Sequence, residues 1–170
     1  MSRILMRITA IAFVTFLSLG TANLSAQSQN NTAGDSAAIK LAVDGFVADF
    51  NRHDAHASAA WFTDEAEFTN VQQVTSHGRK DYEDHMVQVF ETRLKNAHRT
   101  VSITSIRFLT PDVATATMTY ELGGTMGPND TELPLRKGVY RWVLTKHNER
   151  WLIDIMEESE PVQPPSSTSH

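Results

Sequence analysis

The chain has 170 residues, no cysteine, and a formal net charge of −5 from 15 basic and 20 acidic residues. This acidic balance argues against a nucleic-acid-binding protein, which would present a basic surface. The lack of cysteine excludes disulfides, cysteine nucleophiles and cysteine-ligated metals, so packing alone must stabilise the fold.

The N-terminus has the pattern of a secretory signal peptide. Arg3 and Arg7 precede an apolar run, Ile8 to Leu19, which ends shortly before small residues and a predicted cut after Ala26. The run is too short to span a bilayer. We therefore expect a periplasmic or secreted protein that leaves the membrane once the signal is cleaved. A cut after Ala22 and an uncleaved membrane anchor remain as alternatives.

Behind this segment we predict one folded domain. Losing the two N-terminal arginines leaves 13 basic and 20 acidic residues, a net charge of −7. Residues 27–35 are polar and read as a flexible leader, and residues 161–170 are rich in Pro and Ser and read as a disordered tail. The intervening residues 36–160 are enough for one domain with a buried core.

The predicted elements of this domain do not alternate regularly between helix and strand. Asp35 and Asp54 are plausible N-caps for the first two helices. The pattern predicts helices at 36–50, 55–62 and 79–95, and strands at 65–70, 99–109, 113–122, 136–146 and 150–158. This order indicates the α+β class, with helices on one face of a curved antiparallel or mixed sheet that encloses a pocket.

Four short stretches carry a resemblance to a known family. They are Phe50-Asn51-Arg52-His53-Asp54-Ala55 with Trp61-Phe62-Thr63, Gly78-Arg79 with His85 and Phe90, Leu109-Thr110-Pro111-Asp112-Val113-Ala114, and Val143-Leu144-Thr145-Lys146 with Trp151-Leu152-Ile153. In this order and spacing the chain resembles the SnoaL-like group of the nuclear transport factor 2-like superfamily, and within it the SgcJ/EcaC branch.

The resemblance implies a cone-shaped α+β half-barrel, usually a homodimer, with a pocket for a small apolar or aromatic molecule. The superfamily includes isomerases, dehydratases, cyclases and plain binding or assembly modules, so the fold does not choose among them. One departure stands out. The branch commonly ends its last strand in a neutral His-Asn-Thr or Gln-Asn-Thr run, where this chain has the acidic Glu157-Glu158-Ser159.

His85 and Asp54 are two candidate catalytic residues. His85 lies beside the apolar stripe of the third helix and titrates near working pH, so it can serve as general acid or base. The alternative is a histidine at the edge of the core. Asp54 is either a carboxylate at the pocket mouth or the N-cap of the second helix, and the cap is favoured because Asp is among the best capping residues.

Glu157 is the third catalytic candidate. It follows Trp151 and Ile153 at a period of two, which would place it on their face, with Arg141 as a partner for its buried charge. The alternative is that the strand has left the core by this residue. Neighbouring carboxylates in a dry pocket can act as an acid and a base.

Four further side chains are candidate ligand contacts, together with Arg141. They are Asn51, Trp61, Tyr82 and Tyr120. No motif for a nucleotide or nicotinamide cofactor occurs, and no histidines or carboxylates show a recognised metal spacing, so we expect neither a cofactor nor a metal.

Three hypotheses follow. The first is an enzyme for cofactor-independent proton transfer, isomerisation, dehydration or cyclisation, with His85 as base or acid and Glu157 or Asp54 orienting it. The second is a ligand-binding or accessory module without chemistry. The third is a stress-related dimer in the cell envelope whose pocket is vestigial.

Overall fold

The computed structural model describes the backbone of residues 19–161 and the side chains of residues 32–161. Chain contacts separate two units, residues 1–35 and 36–170. The described backbone of the first unit is helical from Leu19 onward. The second unit holds all the described strands and the other helices. The predicted signal peptide and tail fall largely outside the described residues and remain predictions.

Within the described part, no helix combines the length and apolar character needed to cross a membrane.

Three α-helices and one short 3-10 turn are described. They are α1 (Leu19–Asn51), α2 (Ala55–Ala59), α3 (Arg79–Glu91) and the turn Pro128–Asp130. Helix α1 begins well before the predicted start at Ser36, so Asp35 lies inside the helix and the helix covers the segment expected to be a flexible leader. That segment is polar but contains no proline to interrupt the backbone hydrogen bonds.

Six strands form one mixed, unclosed sheet. They are β1 (Phe62–Thr69), β2 (Thr75–His77), β3 (His98–Thr110), β4 (Val113–Gly123), β5 (Arg136–His147) and β6 (Arg150–Ser159), in the order β2-β1-β6-β5-β4-β3. The β1–β6 pair is parallel and the other pairs are antiparallel. The predicted α+β class with helices on a curved mixed sheet is confirmed. The three-residue strand β2 was not predicted, because it is too short to show an alternation.

The predicted hairpin between β5 and β6 is confirmed. His147 pairs with Arg150, and the two residues between them, Asn148 and Glu149, have φ of 48° and 66°. Positive φ at both central positions is the conformation that matches the twist of a two-residue hairpin.

The core lies between the helices and the inner face of the sheet. Ile39, Val43, Phe46 and Phe50 form the buried stripe of α1, as their spacing predicts. Phe46 meets Trp142 of β5 edge-to-face, with ring centroids 5.2 Å apart. Burial of each such side chain contributes about 1.5–3 kcal/mol, so this stripe holds α1 against the sheet.

Among the register shifts of the sheet, one in β3 and one in β6 decide which side chains of these two strands face inward. In β3 the register shifts between Ile103 and Ser105, where the sequence pattern predicted a slip. In β6 the register shifts beside Asp154, because Ile153 pairs with Leu144 while Ile155 pairs with the preceding Val143. An extra residue in one strand reverses the faces of all residues that follow it.

Candidate functional site

A cleft opens between α1, α3 and the inner face of the sheet. Its buried floor includes Phe50, Tyr82, Arg99, Leu122, Met156 and Glu158. Its partly exposed mouth includes Val71, Gln72, His85, Arg93 and Arg136. The interior offers about 30 Å³ to the centres of water-sized groups, within an open space of about 440 Å³ that includes solvent at the mouth. The cleft therefore has room for about two such groups.

Arg99 is the buried cation of the floor, with 5 % of its surface exposed. Its guanidinium carbon lies 3.7 Å from the centroid of the Phe50 ring and 5.1 Å from that of Tyr140. Desolvated contacts of this kind are worth about 2 kcal/mol or more. They do not satisfy its N–H donors, and the buried Nε has no hydrogen-bond partner among the described residues.

Asn51 at the end of α1 fixes the backbone of Arg99. Its Nδ2 donates to the Arg99 carbonyl at 2.9 Å, and its Oδ1 accepts from the Arg99 amide at 2.8 Å. Because β3 is an edge strand, these two backbone groups point away from the sheet. Asn51 therefore replaces a missing strand partner and sets the position from which the Arg99 side chain enters the cleft.

Glu158 is the buried carboxylate of the floor, with 7 % of its surface exposed. The Tyr140 hydroxyl donates to its Oε1 at 3.4 Å. No ion pair joins Glu158 to Arg99 within 4.0 Å among the described side chains, although both line the cleft. The floor thus buries a carboxylate and a guanidinium that are not neutralised by direct contact with each other.

A second carboxylate closes the rim above Glu158. Glu160 accepts at Oε1 from the Tyr120 hydroxyl at 2.9 Å and from Arg136 Nε at 2.7 Å. This contact pairs the charge of Arg136 with that of Glu160. It also ties the end of the last strand to β4 and β5.

The tyrosines around the floor remain protonated. Burial raises the pKa of Tyr82 well above its ordinary value of 10.0, against the opposing effect of the Arg99 charge. Burial also raises the pKa of Tyr120 and of Tyr140, and the charge of Glu158 adds to both shifts. All three phenols are therefore hydrogen-bond donors at neutral pH.

His85 lies at the mouth on α3 and is half-buried. Burial lowers its pKa from the ordinary 6.5, and the Arg93 charge lowers it further, while Asp81 acts in the opposite direction. The imidazole is consequently neutral near pH 7 and can accept a proton.

Among the side chains predicted from the sequence, the structure places Tyr82 and His85 in the cleft. Asn51, a predicted ligand contact, acts through the backbone of Arg99. Tyr120 is buried, stacks on Tyr140 with centroids 4.6 Å apart, and bonds to the rim. It is not among the residues that line the cleft.

Trp61 also lies away from the cleft. Its Nε1 donates to Asp49 Oδ2 at 2.7 Å, and its ring packs over Gly45, where an added Cβ would come within 2.1 Å of the indole. Trp61 therefore helps fasten α1 to the strand that follows.

Glu157 does not face inward. It is exposed, and it lies directly opposite Arg141, which is exposed on the same outer face of the sheet. The predicted pairing of the two is present in the register, but on the wrong side of the sheet. The bulge beside Asp154 is the reason, since it moves Glu158 to the inner face.

Asp54 serves as the predicted N-cap. Its Oδ1 accepts from the amide of Ala57 at 2.8 Å. It lies on a separate open groove with His53, His56 and Glu83 rather than in the cleft. The described side chains contain no group of three or more His, Asp or Glu placed to hold a metal ion.

Sequence reasoning missed Arg99, Arg136 and Glu158. The two arginines could have been predicted from the alternation of the strands. Arg99 is two residues from Val101 and Arg136 is four residues from Tyr140, so each lies on the same face of its strand as that apolar residue. Glu158 could not be found in this way, because the alternation beyond Ile153 changes phase at the bulge.

The cleft thus combines a buried carboxylate, a buried cation, the phenol of Tyr82 and a neutral imidazole at the mouth. A carboxylate or imidazole can take a proton from a bound molecule, and a cation can stabilise the negative charge that develops on a neighbouring oxygen. The arrangement suits proton-transfer chemistry on a small molecule.

Several solved structures share the fold. A cystatin-like domain of unknown function from Nostoc punctiforme is 24% identical, with a TM-score of 0.65 and coverage of 78% of this chain and 80% of that one. A protein described as a putative scytalone dehydratase from Novosphingobium aromaticivorans is 16% identical, with a TM-score of 0.70 and coverage of 79% and 89%. A ketosteroid isomerase-like protein from Erwinia carotovora atroseptica is 20% identical, with a TM-score of 0.61 and coverage of 75% and 96%.

These likenesses show the fold and do not transfer an activity. No functionally curated protein matches the chain in sequence. The model of the SnoaL-like domain matches residues 31–157, which is most of the chain. The predicted resemblance to the SnoaL-like group is therefore confirmed, the SgcJ/EcaC branch within it stays a prediction, and the chain belongs to the SnoaL-like domain family.

Proposed function

We propose that this protein is an exported SnoaL-like enzyme that carries out cofactor-independent proton transfer on a small molecule in the cleft. The observation that carries the proposal is the buried Glu158, which lies within hydrogen-bond reach of the Tyr140 hydroxyl and lines the same small space as Arg99. Charged groups are costly to bury, so a carboxylate and a guanidinium on a pocket floor are candidates for a functional site.

The proposed step uses this chain's own groups. The Glu158 carboxylate removes a proton from a carbon next to an electron-withdrawing carbonyl group. The electron pair of the broken C–H bond moves onto the carbonyl oxygen, where Arg99 stabilises the negative charge. Return of the proton to another carbon completes an isomerisation. In a dehydration, the electron pair instead returns from the oxygen to form a carbon–carbon double bond, and the C–OH bond of the next carbon breaks. His85, which has first taken a proton from solvent, protonates the departing hydroxide to water, and Glu158 releases its proton to solvent.

Two of the structural neighbours support this class of reaction. One is described as a putative scytalone dehydratase and another as ketosteroid isomerase-like. The sequence predicted His85 as base or acid, with Glu157 or Asp54 orienting it. In the proposed step Glu158 is the base, and His85 keeps only the role of acid at the mouth.

A ligand-dependent thermal shift tests the proposal. Purified protein is screened against small aromatic, polyketide-like and steroid-like compounds, because a ligand that binds only the folded state raises the melting temperature. We expect hits whose shift is lost in Glu158→Gln and retained in Glu157→Gln, which has the same chemistry on the outer face. A hit unaffected by Glu158→Gln would place binding elsewhere. No hit across the set would favour the alternative of an assembly module without a working pocket.

The proposal includes export and a homodimer. Export is supported by the basic start and short apolar run of the N-terminus. A dimer is supported by the uncovered outer face of the sheet, where Val143 lies opposite Ile155, which is exposed. Light scattering after size exclusion should give twice the monomer mass, and Val143→Lys should return it to the monomer mass. A wild-type monomer would overturn the dimer, and retention of the full-length chain in the cytoplasm would overturn export.

A further inference from the structure

We propose that the ligand of the cleft is a monoanion whose carboxylate faces Arg99, rather than a neutral apolar molecule. This inference rests on the proposed function, since it specifies what the same cleft binds. It is carried by the charges that line the cleft and by the small size of the cleft between them.

The charges of the cleft are unequal. Three arginines line it, Arg93, Arg99 and Arg136, against one lining carboxylate, Glu158. Arg136 is paired with Glu160 at 2.6 Å. Neither Arg93 nor Arg99 forms an ion pair among the described side chains. The negative charge of Glu158 balances one of these two positive charges, so the cleft carries one uncompensated positive charge. This excess is local, because the chain as a whole has a net charge of −5.

The floor cation has an unused donor. Arg99 is 95 % buried, and its Nε is cut off from solvent without a hydrogen-bond partner. A buried guanidinium is expensive to leave unsatisfied, and its planar donors match the two oxygens of a carboxylate. A negatively charged acceptor on the ligand would accept a hydrogen bond from Arg99 and would also neutralise the excess positive charge.

The small size of the cleft fits this group. The cleft accommodates about two water-sized groups, which suits the two oxygens of a carboxylate but not an aromatic ring. The body of the ligand would then lie at the mouth, against Val71 and His85, with Arg93 beside it.

In the proposed reaction, the oxygen that Arg99 stabilises would belong to this carboxylate. The proton that Glu158 removes would come from the neighbouring carbon, and the electron pair of that C–H bond would move onto the carboxylate oxygens. The phenol of Tyr140 donates to Glu158 and reduces the repulsion between the two carboxylates.

Calorimetric titration with matched probes tests the inference. The probes are 1-naphthoate and benzoate, each compared with its primary amide, which has the same shape but no charge. We expect each carboxylate to bind the wild type at least tenfold more tightly than its amide at low salt. We expect this ratio to fall in high salt, because the exposed Arg93 is screened.

Two variants and a control decide the outcome. Arg99→Gln should reduce the ratio of the carboxylate affinity to the amide affinity to about one. If that variant does not fold, Arg93→Gln at the exposed mouth should still reduce the ratio severalfold, while Arg141→Gln on the outer face should leave it unchanged. Equal binding of acid and amide would overturn the inference and leave the proposed function standing. Absence of binding by all four probes would overturn the inference, while the broad thermal-shift screen decides the proposed function separately.

Discussion

Asn51→Ala tests whether α1 holds the edge strand that carries Arg99. The substitution removes two hydrogen bonds, of 2.9 and 2.8 Å, to the amide and carbonyl of Arg99. A buried polar group that loses its partner costs about 1–3 kcal/mol. Asn51 is half-exposed, so water can reach part of the site, and we expect a total loss of about 2–4 kcal/mol in the free energy of unfolding.

Urea unfolding measured by circular dichroism gives this loss directly. A domain of this size should also melt lower, by about 3–5 °C for each kcal/mol. Gln88→Ala, an exposed change on α3, is the matched control and should stay within about 0.5 kcal/mol of the wild type. A loss below about 0.5 kcal/mol in Asn51→Ala would refute the view that Asn51 replaces a strand partner for Arg99.

Three other predictions follow from contacts described above. Gly45→Ala should destabilise the protein by about 1–3 kcal/mol in urea unfolding, because the added methyl overlaps the Trp61 ring. Gly34→Ala is the control and should be neutral or stabilising, because Gly34 has open space around it. Equal changes in the free energy of unfolding for the two variants would contradict the packing of Trp61 on Gly45. Arg93→Gln should raise the pKa of His85 measured by NMR, because the Arg93 charge lowers it. An unchanged pKa would show that the Arg93 charge does not act on His85. The three tyrosines should show no phenolate absorbance at 295 nm until well above pH 10, and because only the unfolded state loses these protons from pH 10 upward, stability should fall there; native titration near pH 10 would count against their burial.

The elements of the fold could be predicted because their patterns are local. The stripe of α1 and the alternation of β4 and β5 each repeat over several turns or residues, so the period is legible in the sequence. The cap at Asp54 and the two-residue hairpin depend only on neighbouring residues. By contrast, β2 has three residues and exists because β1 pairs with it.

The site was less predictable because it depends on register. Glu157 and Glu158 are adjacent and identical in chemistry, and only the bulge beside Asp154 decides which one faces the cleft. The role of Asn51 depends on a contact across 48 positions of the chain, which no local pattern encodes. Arg99 could have been predicted, because its spacing of two residues from Val101 places both on the inner face of β3.

Exchange of substrate hydrogen for solvent deuterium tests the central claim most directly, because it reports proton transfer at carbon whether or not a net product forms. Compounds that bind the cleft are incubated with the protein in D₂O, and deuterium incorporation is followed by proton NMR. The account predicts exchange at a carbon next to the carbonyl or carboxylate group in the wild type and in Glu157→Gln, and loss of at least a hundredfold in Glu158→Gln. Exchange that survives in Glu158→Gln but is lost in Glu157→Gln, or bound compounds that never exchange, would contradict it.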